Sequence, residues 1–189
     1  MNLPIVTLEN QTNNVLLELA QDVTFPLSAE MNAMIDQMRK KLEELQAAGL
    51  AAPQVGYPYK IIVYQVLEIA KDFRLDWYAA LPPTVLINPS FEPIVDAGFT
   101  DDWEACLSVE TQMGKIRRYT SIRFQGFDRD GNKVEGQANG YHARILQHEI
   151  DHLKGCLIPY LFRDDLPFGS IEEMKKMRQE EIEKRKGAS

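Results

Sequence analysis

The sequence predicts an α+β fold, in which antiparallel strands pack around a central helix and further helices stand at the N-terminal and C-terminal ends. Three observations support this class. An amphipathic helical pattern comes first, segments rich in β-branched residues fill the middle, and a helical pattern with paired histidines follows. We divide the 189 residues into a single folded unit over 1–168 and a charged helix over 169–189, since this length suits one domain with an appendage.

The first helix is expected between Ser28 and Leu45. Serine is a residue type suited to an N-cap. Apolar side chains then recur at three- and four-residue spacing, as one face of a helix requires; they are Met31, Met34, Ile35, Met38, Leu42 and Leu45. We interpret this Met-rich stripe as core packing.

The strands follow in the middle of the chain. The β-branched segment Lys60–Val66 predicts a strand, and 68–83, which ends in a double proline, is interpreted as a loop before the strand "TVLINP". Alternating residues predict a further strand over Tyr119–Phe127. The pair Asp130-Gly131 that comes next suits a hairpin turn.

Two more helices are expected after the strands. The central helix begins near Asn139 or Gly140, runs through Leu153 and ends at Gly155. The last segment has Ser170 as N-cap, acidic residues in its first turn and basic residues in its last, an order that complements the helix dipole. We interpret it as a solvated terminal helix.

Composition excludes several classes of protein. The formal net charge of −7 argues against broad nucleic-acid binding, so no DNA partner is expected. Lys115, Arg117 and Arg118 could form a local basic patch, but we favour a solvated strand edge. No run approaches the ~20 apolar residues of a bilayer span, and the N-terminus lacks the features of a secretory signal. Cys106 and Cys156 are too few for a disulfide framework. We therefore expect a cytoplasmic protein without a membrane partner.

The stretch "QHEIDHLKG" places His148 and His152 four residues apart with Glu149 between them. On a helix the two imidazoles lie one above the other, about 6 Å apart at their β-carbons, so both can reach one ion. Glu149 lies to the side, where it reaches a water molecule as a base. The central helix is therefore predicted to bind metal, and Tyr141 and Ile145 on the same side are expected to floor a substrate pocket.

The third metal ligand is left open by the residues alone. Catalytic zinc sites usually combine three protein ligands with one open position. Ile158 occupies the place where one metalloprotease pattern has its third histidine. Glu172 or Glu173 could complete a zinc endopeptidase site, although acids also suit the first turn of a helix. Cys106 in "WEACLS" offers a thiolate, but a lone cysteine is usually a small buried core residue.

A third segment leads to a resemblance. "AAGLAAPQVG" is too apolar for an ordinary surface loop, and it contains Gln54, whose amide can donate to an oxyanion. In order along the chain, "GLAAPQ", an "INP", "EACLS" and "QHEIDHLKG" resemble the signature motifs of the peptide deformylases. The resemblance covers roughly Ala29 to Leu161.

The resemblance implies a role for each motif residue. It assigns the metal to Cys106, His148 and His152, and it makes Glu149 the general base and acid. It further implies that Gln54 and the backbone N–H of Leu107 bind the oxyanion. We expect the substrate to be contacted by a further set of residues: Ala48, Gly49, Glu104, Tyr141 and Ile145.

The implied activity is the metal-dependent hydrolysis of N-formylmethionine at the start of newly made polypeptides, with release of formate. The implied cofactor is one divalent ion, Fe²⁺ in the cell, with Zn²⁺, Ni²⁺ or Co²⁺ as alternatives. Formyl-Met peptides and nascent chains at the ribosome are the implied partners, and we expect a monomer in the bacterial cytoplasm. The alternatives are a zinc endopeptidase that uses Glu172 or Glu173, and a degenerate relative that binds formyl-peptides without turnover.

The chain departs from the family pattern at two glycine positions and in the loop after the cysteine. Ala47 and Ala105 stand where the family commonly has glycine, and Glu110 and Met113 alter the loop that follows the cysteine. Because alanine resists backbone angles that glycine tolerates, Ala105 either shifts this loop or lies in an ordinary conformation.

Two other residues of the central helix are assigned structural roles. Asp151 is expected to pair with Arg144 or with Arg118, as the family pattern suggests. His142 is off the metal-binding side of the helix. We interpret it as a surface or core histidine.

Overall fold

The computed structural model describes residues 3–10 and 15–187. Residues 1–2 and 11–14 of the predicted unit and residues 188–189 of the predicted terminal helix lie outside this part. The described residues form the helices α1 (Ala29–Glu44), α2 (Gly140–Leu153) and α3 (Ile171–Gly187). Their strands are β1 (Gly49–Ala51), β2 (Ile61–Val66), β3 (Leu81–Pro93), β4 (Phe99–Cys106), β5 (Val109–Tyr119), β6 (Ser121–Phe127), β7 (Lys133–Asn139) and β8 (Phe168–Ser170).

The strands form two antiparallel sheets. One sheet has the order β1-β2-β3-β6-β7 and the other has the order β4-β5-β8. Helix α2 contacts strands of both sheets, so it lies where the two meet. The expected α+β class, with antiparallel strands around one central helix, is confirmed.

Helices α1 and α2 bury different parts of the larger sheet. The predicted stripe of α1 packs on β2 and β3, with Ile35, Met38 and Leu42 fully buried. Its last member, Leu45, is the exception, because it lies at the C-cap and is exposed. The apolar side of α2 forms a second cluster with residues such as Ile62 and Leu86. Full burial of one such side chain contributes roughly 1.5–3 kcal/mol, so one cluster holds α1 and the other holds α2 against the sheet.

The boundaries of two predicted strands differ from the structure. The double proline was expected in a loop, yet Pro82 and Pro83 lie at the start of β3, and the segment before them contains a 3₁₀ helix over Glu68–Asp72. The pairing of β3 with β2 is irregular there, so no ladder hydrogen bond from a proline nitrogen is needed. The strand expected over Tyr119–Phe127 is interrupted at Thr120, which separates β5 from β6.

The interpretation of the terminal helix as fully solvated is wrong on one side. Met174 is buried against Trp103 and Met113. The indole Nε1 of Trp103 donates to Glu181 at 2.9 Å, and Lys115 pairs with the same carboxylate at 2.9 Å. A few well-spaced contacts therefore hold α3 on β5, although most of its surface is polar and exposed.

The interpretation of Lys115, Arg117 and Arg118 as a solvated strand edge is wrong, because each of them is paired or buried. Lys115 contacts Glu181, Arg117 forms two hydrogen bonds with Asp101, and Arg118 is buried. None of the three is therefore a free surface cation. Separately, no helix in the described residues is both long and apolar enough to cross a membrane.

Candidate metal centre and active site

Helix α2 and the end of β4 bring the predicted ligands together. The ring centroids of His148 and His152 are 5.1 Å apart, and Cys106 Sγ lies 3.2 Å from His152 Nε2. The ligand atoms of the three residues lie within 4.8 Å of one another. One sulfur and two imidazole nitrogens are a donor set that suits zinc or ferrous iron, so the residues present fit a divalent metal ion.

The turn between β4 and β5 holds the cysteine in place. Cys106 pairs with Val109 across this turn. The backbone N–H of Ser108 and the side-chain amide of Gln54 both donate toward the sulfur, at 3.4 and 3.6 Å. The sulfur is therefore positioned by two donors from the protein in addition to its own strand.

A buried carboxylate orients the first histidine. Glu104 accepts hydrogen bonds from Arg118 Nε and Nη2 at 2.9 Å each and from Arg144 at 2.8 Å, and it contacts His148 Nδ1 at 2.9 Å. The second ring nitrogen of His148 is thereby left to face the cluster. Arg118 also pairs with Asp151, which is the structural pairing expected for that residue.

The charges of this network favour a cation. Burial acts to raise the pKa of Glu104, but Arg118 and His148 hold it well below its usual range. Burial acts to lower the pKa of His148, but hydrogen bonds to Cys106 and Glu104 raise it well above its ordinary value. Burial lowers the pKa of His152 well below its ordinary value, which suits a neutral metal-ligating imidazole.

Glu149 is buried beside the ligands. Burial raises its pKa to about 7, and its Oε2 has no hydrogen-bond partner within the described part of the chain. The side chain lies directly on Gly49 of β1, where an added Cβ would overlap Glu149 Oε1. Because glycine has no Cβ, Gly49 leaves the space that the Glu149 carboxylate occupies.

Gln54 lies on a 3₁₀ helix over Ala52–Val55 and is almost fully buried. Its Oε1 accepts from the backbone N–H of Ala51 at 2.9 Å, and its Nε2 donates to Ser108 Oγ at 3.2 Å. These contacts fix which end of the amide is the donor. Leu107, between Cys106 and Ser108, has 37% of its surface exposed.

A cavity of about 340 Å³ joins these residues, a volume typical of small ligand sites. It is lined by nearly every residue predicted for the site: Ala48, Gly49, Gln54, Glu104, Cys106, Leu107, Tyr141, Ile145, His148 and Glu149. His152 lies behind it, in contact with Cys106.

The cavity also has walls that the sequence interpretation missed. They are Leu45, Ala47, Phe73, Arg74, Trp103, Ala105, Arg144 and Arg178. Arg144 could have been found, because it lies four residues before His148 on the same side of α2. Phe73 and Arg74 fall in the segment interpreted as a plain loop, and nothing in the local sequence of α3 marks Arg178.

The alternative glutamate ligands lie elsewhere. Glu172 and Glu173 are exposed in the first turn of α3, and Glu173 accepts from Ser170 Oγ at 2.7 Å. Neither belongs to the cluster of Cys106 and the histidines. The ligand set of the zinc endopeptidase alternative is therefore not assembled.

The departures from the family pattern fit the fold. Neither Ala47 nor Ala105 has a positive φ, so both lie in backbone conformations that alanine adopts without strain. Met113 is buried in the cluster beneath α3. His142, which stacks on Tyr64 and meets Phe124 edge-on, is not part of the metal cluster.

Comparison with known sequences identifies one family. The family profile for polypeptide deformylases matches residues 3–163. Peptide deformylase 2 of Ralstonia nicotianae is 40% identical over 157 residues, which are 83% of this chain and 86% of that protein. Peptide deformylase 1 of Bordetella pertussis is also 40% identical over 157 residues, which are 83% of this chain and 87% of that protein.

Solved structures agree with the sequence comparison. Peptide deformylase from Ehrlichia chaffeensis superposes with a TM-score of 0.74 at 28% identity, and the match covers 100% of this chain and 98% of that one. The class I type b enzyme from Acinetobacter baumannii, solved with bound Met-Ala-Ser, has a TM-score of 0.74 at 26% identity. This second match covers 86% of this chain and 99% of that one.

Proposed function

The chain belongs to the polypeptide deformylase family, and from this premise we propose how its own residues carry out the reaction. The protein is an enzyme that removes the N-formyl group from the N-terminal methionine of newly made polypeptides and releases formate. The family depends on a metal ion. The roles of individual residues are inferred from the contacts described above.

Cys106, His148 and His152 hold one divalent ion in this proposal, Fe²⁺ in the cell, with Zn²⁺, Ni²⁺ or Co²⁺ able to replace it. When bound, such an ion supplies a Lewis acid and lowers the pKa of a water molecule. Glu104 acts as a positioning residue, because its contact with His148 Nδ1 sets the orientation of that ring. We therefore reassign Glu104 from substrate contact to ligand support.

Glu149 moves the proton. Its Oε2 has no protein partner within the described ranges and lies in the same cavity as the ligands. Oε2 accepts a proton from the attacking water molecule, the formyl C–N bond breaks, and the same oxygen returns the proton to the departing amine nitrogen. Exclusion of bulk water from this buried oxygen keeps the proton available for that return.

Gln54 Nε2 and the backbone N–H of Leu107 donate to the oxygen of the formyl group as negative charge develops on it. The contact between Gln54 Oε1 and Ala51 keeps the amino end of the side chain directed at Cys106 and Ser108. Loss of one such donor typically costs ~100-fold or more in rate.

The substrate lies against Ala48 and Gly49 on one side and Tyr141 and Ile145 on the other, all of which line the cavity. The Acinetobacter baumannii relative has been solved with Met-Ala-Ser bound. This supports short peptides that begin with methionine as ligands of the same cavity in this chain.

We also propose domain boundaries, an oligomeric state and a cellular setting. Residues 1–168 carry the catalytic site, the segment after them contains helix α3, and the protein acts as a monomer in the bacterial cytoplasm on nascent chains at the ribosome. Bacterial relatives of nearly the same length support the setting. Sedimentation velocity tests the monomer, and co-sedimentation with translating ribosomes tests the encounter.

The observation that carries the proposal is the contact of Cys106 Sγ with His152 Nε2 at 3.2 Å in a cavity shared with Glu149. The test is formate release from formyl-Met-Ala-Ser by anaerobically prepared, iron-loaded protein. Cys106→Ala is expected to lose both metal and activity, whereas Cys156→Ala, the matched control, is expected to keep both. Retention of metal by Cys106→Ala would overturn the ligand set. Peptide binding without formate release would identify a non-catalytic binder instead.

A further inference from the structure

The cavity has a basic end that the reaction does not use. Phe73, Arg74 and Arg178 line this end. Arg74 is committed to other groups, because its Nη1 lies 2.6 Å from Asp102 Oδ2 and its Nη2 donates to Trp103 O at 2.8 Å. Arg144 is likewise paired with Glu104 at 2.8 Å. Two of the three guanidinium groups in the cavity wall are therefore paired with carboxylates.

Arg178 is different. It projects from α3, and its guanidinium carbon lies 5.1 Å from the ring centroid of Phe73. No ion pair or side-chain hydrogen bond within residues 3–10 and 15–187 involves it. Burial and the nearby charge of Arg74 lower its pKa. A half-buried cation with uncommitted N–H donors therefore faces the cavity.

The positive charge continues outside the cavity. Phe73 and Arg178 also line a groove between the segment before β3 and helix α3. The other charged residues of this groove are Asp72, Lys175, Lys176 and Lys186. Cations outnumber the single acid, so a chain that leaves the cavity past Arg178 enters a region of positive potential.

We propose that Arg178 is a specificity residue that favours substrates with an acidic side chain shortly after the formylated methionine. The inference rests on the proposed function, since the peptide must first place its formyl group beside Glu149. A carboxylate on the emerging peptide accepts N–H groups from the guanidinium, an arrangement suited to paired hydrogen bonds. The lysines of the groove add long-range attraction.

The test is a set of formyl-Met tetrapeptides with Asp, Asn or Lys placed in turn at positions two, three and four. At one or more positions kcat/KM for Asp is expected to exceed that for Asn by about two- to fivefold, the range for a partly exposed ion pair. The gain is expected in KM, because the contact is remote from the bond that breaks. It is expected to fall as KCl is added.

Substitutions of Arg178 test whether this residue causes the preference for Asp over Asn. Arg178→Gln is expected to bring the Asp/Asn ratio to one, Arg178→Lys to preserve part of it, and Arg178→Glu to shift the preference to Lys. The matched control is Arg123→Gln, which removes an exposed cation on β6 and is expected to keep the wild-type ratio. A wild-type ratio of one at every position, or a ratio that Arg178→Gln leaves unchanged, overturns the inference.

Formate release and the Asp/Asn ratio test the deformylase activity and the role of Arg178 separately. Formyl-Met-Ala-Ser is assayed in the same samples, and formate release with an Asp/Asn ratio of one overturns only the role of Arg178. If no formate is released, the deformylase proposal fails. The charge preference is then measured by calorimetric titration of the unformylated Asp and Asn peptides, and equal affinities for the two overturn it.

Discussion

Helices α2 and α3 place their charged residues in opposite environments. In α2, Arg144 and Asp151 pair with buried side chains, and Glu149 is buried in the cavity beside the candidate metal ligands. In α3 most charged side chains are exposed, and one buried methionine and one acidic contact hold the helix on its sheet. The buried charges of α2 are therefore held in fixed positions, whereas the one charge of α3 that lines the cavity, Arg178, is half-buried and available to a ligand.

The largest expected effect lies in α2. Glu149→Gln preserves the shape of the side chain but removes the proton acceptor, so kcat is expected to fall about 10²- to 10⁴-fold. Metal content, measured by atomic absorption, is expected to stay at the wild-type level. The control in α3 is Glu172→Gln, which should leave both quantities unchanged. Loss of metal from Glu149→Gln would make this residue a ligand and not a base.

Arg118→Met tests the pairing that surrounds α2. It leaves Glu104 and Asp151 without their shared cation, and breaking a buried ion pair costs about 3–5 kcal/mol. Urea unfolding measures the change in free energy. Arg117→Met removes the neighbouring but partly exposed pair with Asp101, for which about 0–1 kcal/mol is expected. Equal losses in the two variants would contradict the distinction between buried and exposed charge.

Gly49→Ala tests the contact between β1 and α2. The added methyl group would displace Glu149, and a misplacement of about 1 Å can cost up to ~10²-fold in rate. The expected loss is in kcat, with the metal retained. Gly169→Ala in β8, where an added Cβ meets Met174 at an ordinary 3.5 Å, should be nearly neutral. An active Gly49→Ala enzyme would show that the carboxylate has room to move.

The smallest effect concerns His142. Burial lowers its pKa to about 4 from an ordinary value of 6.5, so the folded protein holds it neutral. Below pH 6.5 the unfolded chain binds the additional proton, and this contribution to stability is lost as the pH falls toward 4. His142→Phe keeps the stacking on Tyr64 without titrating. Its free energy of unfolding is expected to fall less between pH 7 and pH 4.5, by on the order of 1 kcal/mol.

Much of α2 and the grouping of its candidate metal ligands could be predicted because their signals are short and local. The spacing of His148 and His152, the flanking glycines and the apolar face are all visible within one helix. Cys106 was different, since its spacing left two alternatives open and only the joint resemblance of three motifs selected it. The structure brings the sulfur to the histidines across the turn between β4 and β5.

The parts that could not be predicted depend on contacts between distant segments. Trp103 and Glu181 meet from positions 78 residues apart, and no periodicity within α3 indicates that contact. The double proline was misassigned because its place at an irregular strand start depends on the partner strand. Arg178 acquires a role only through its neighbours Phe73 and Arg74, which a local reading of α3 does not contain.

Glu104 ties β4, β5 and α2 together through bonds that belong entirely to the polypeptide. The residues around the candidate metal site are therefore held in place by protein contacts alone, so a chelator should remove the ion without unfolding the protein. One cation could then be exchanged for another in the folded state, so the ion carried in a cell would reflect which metals are abundant there and how fast each one leaves.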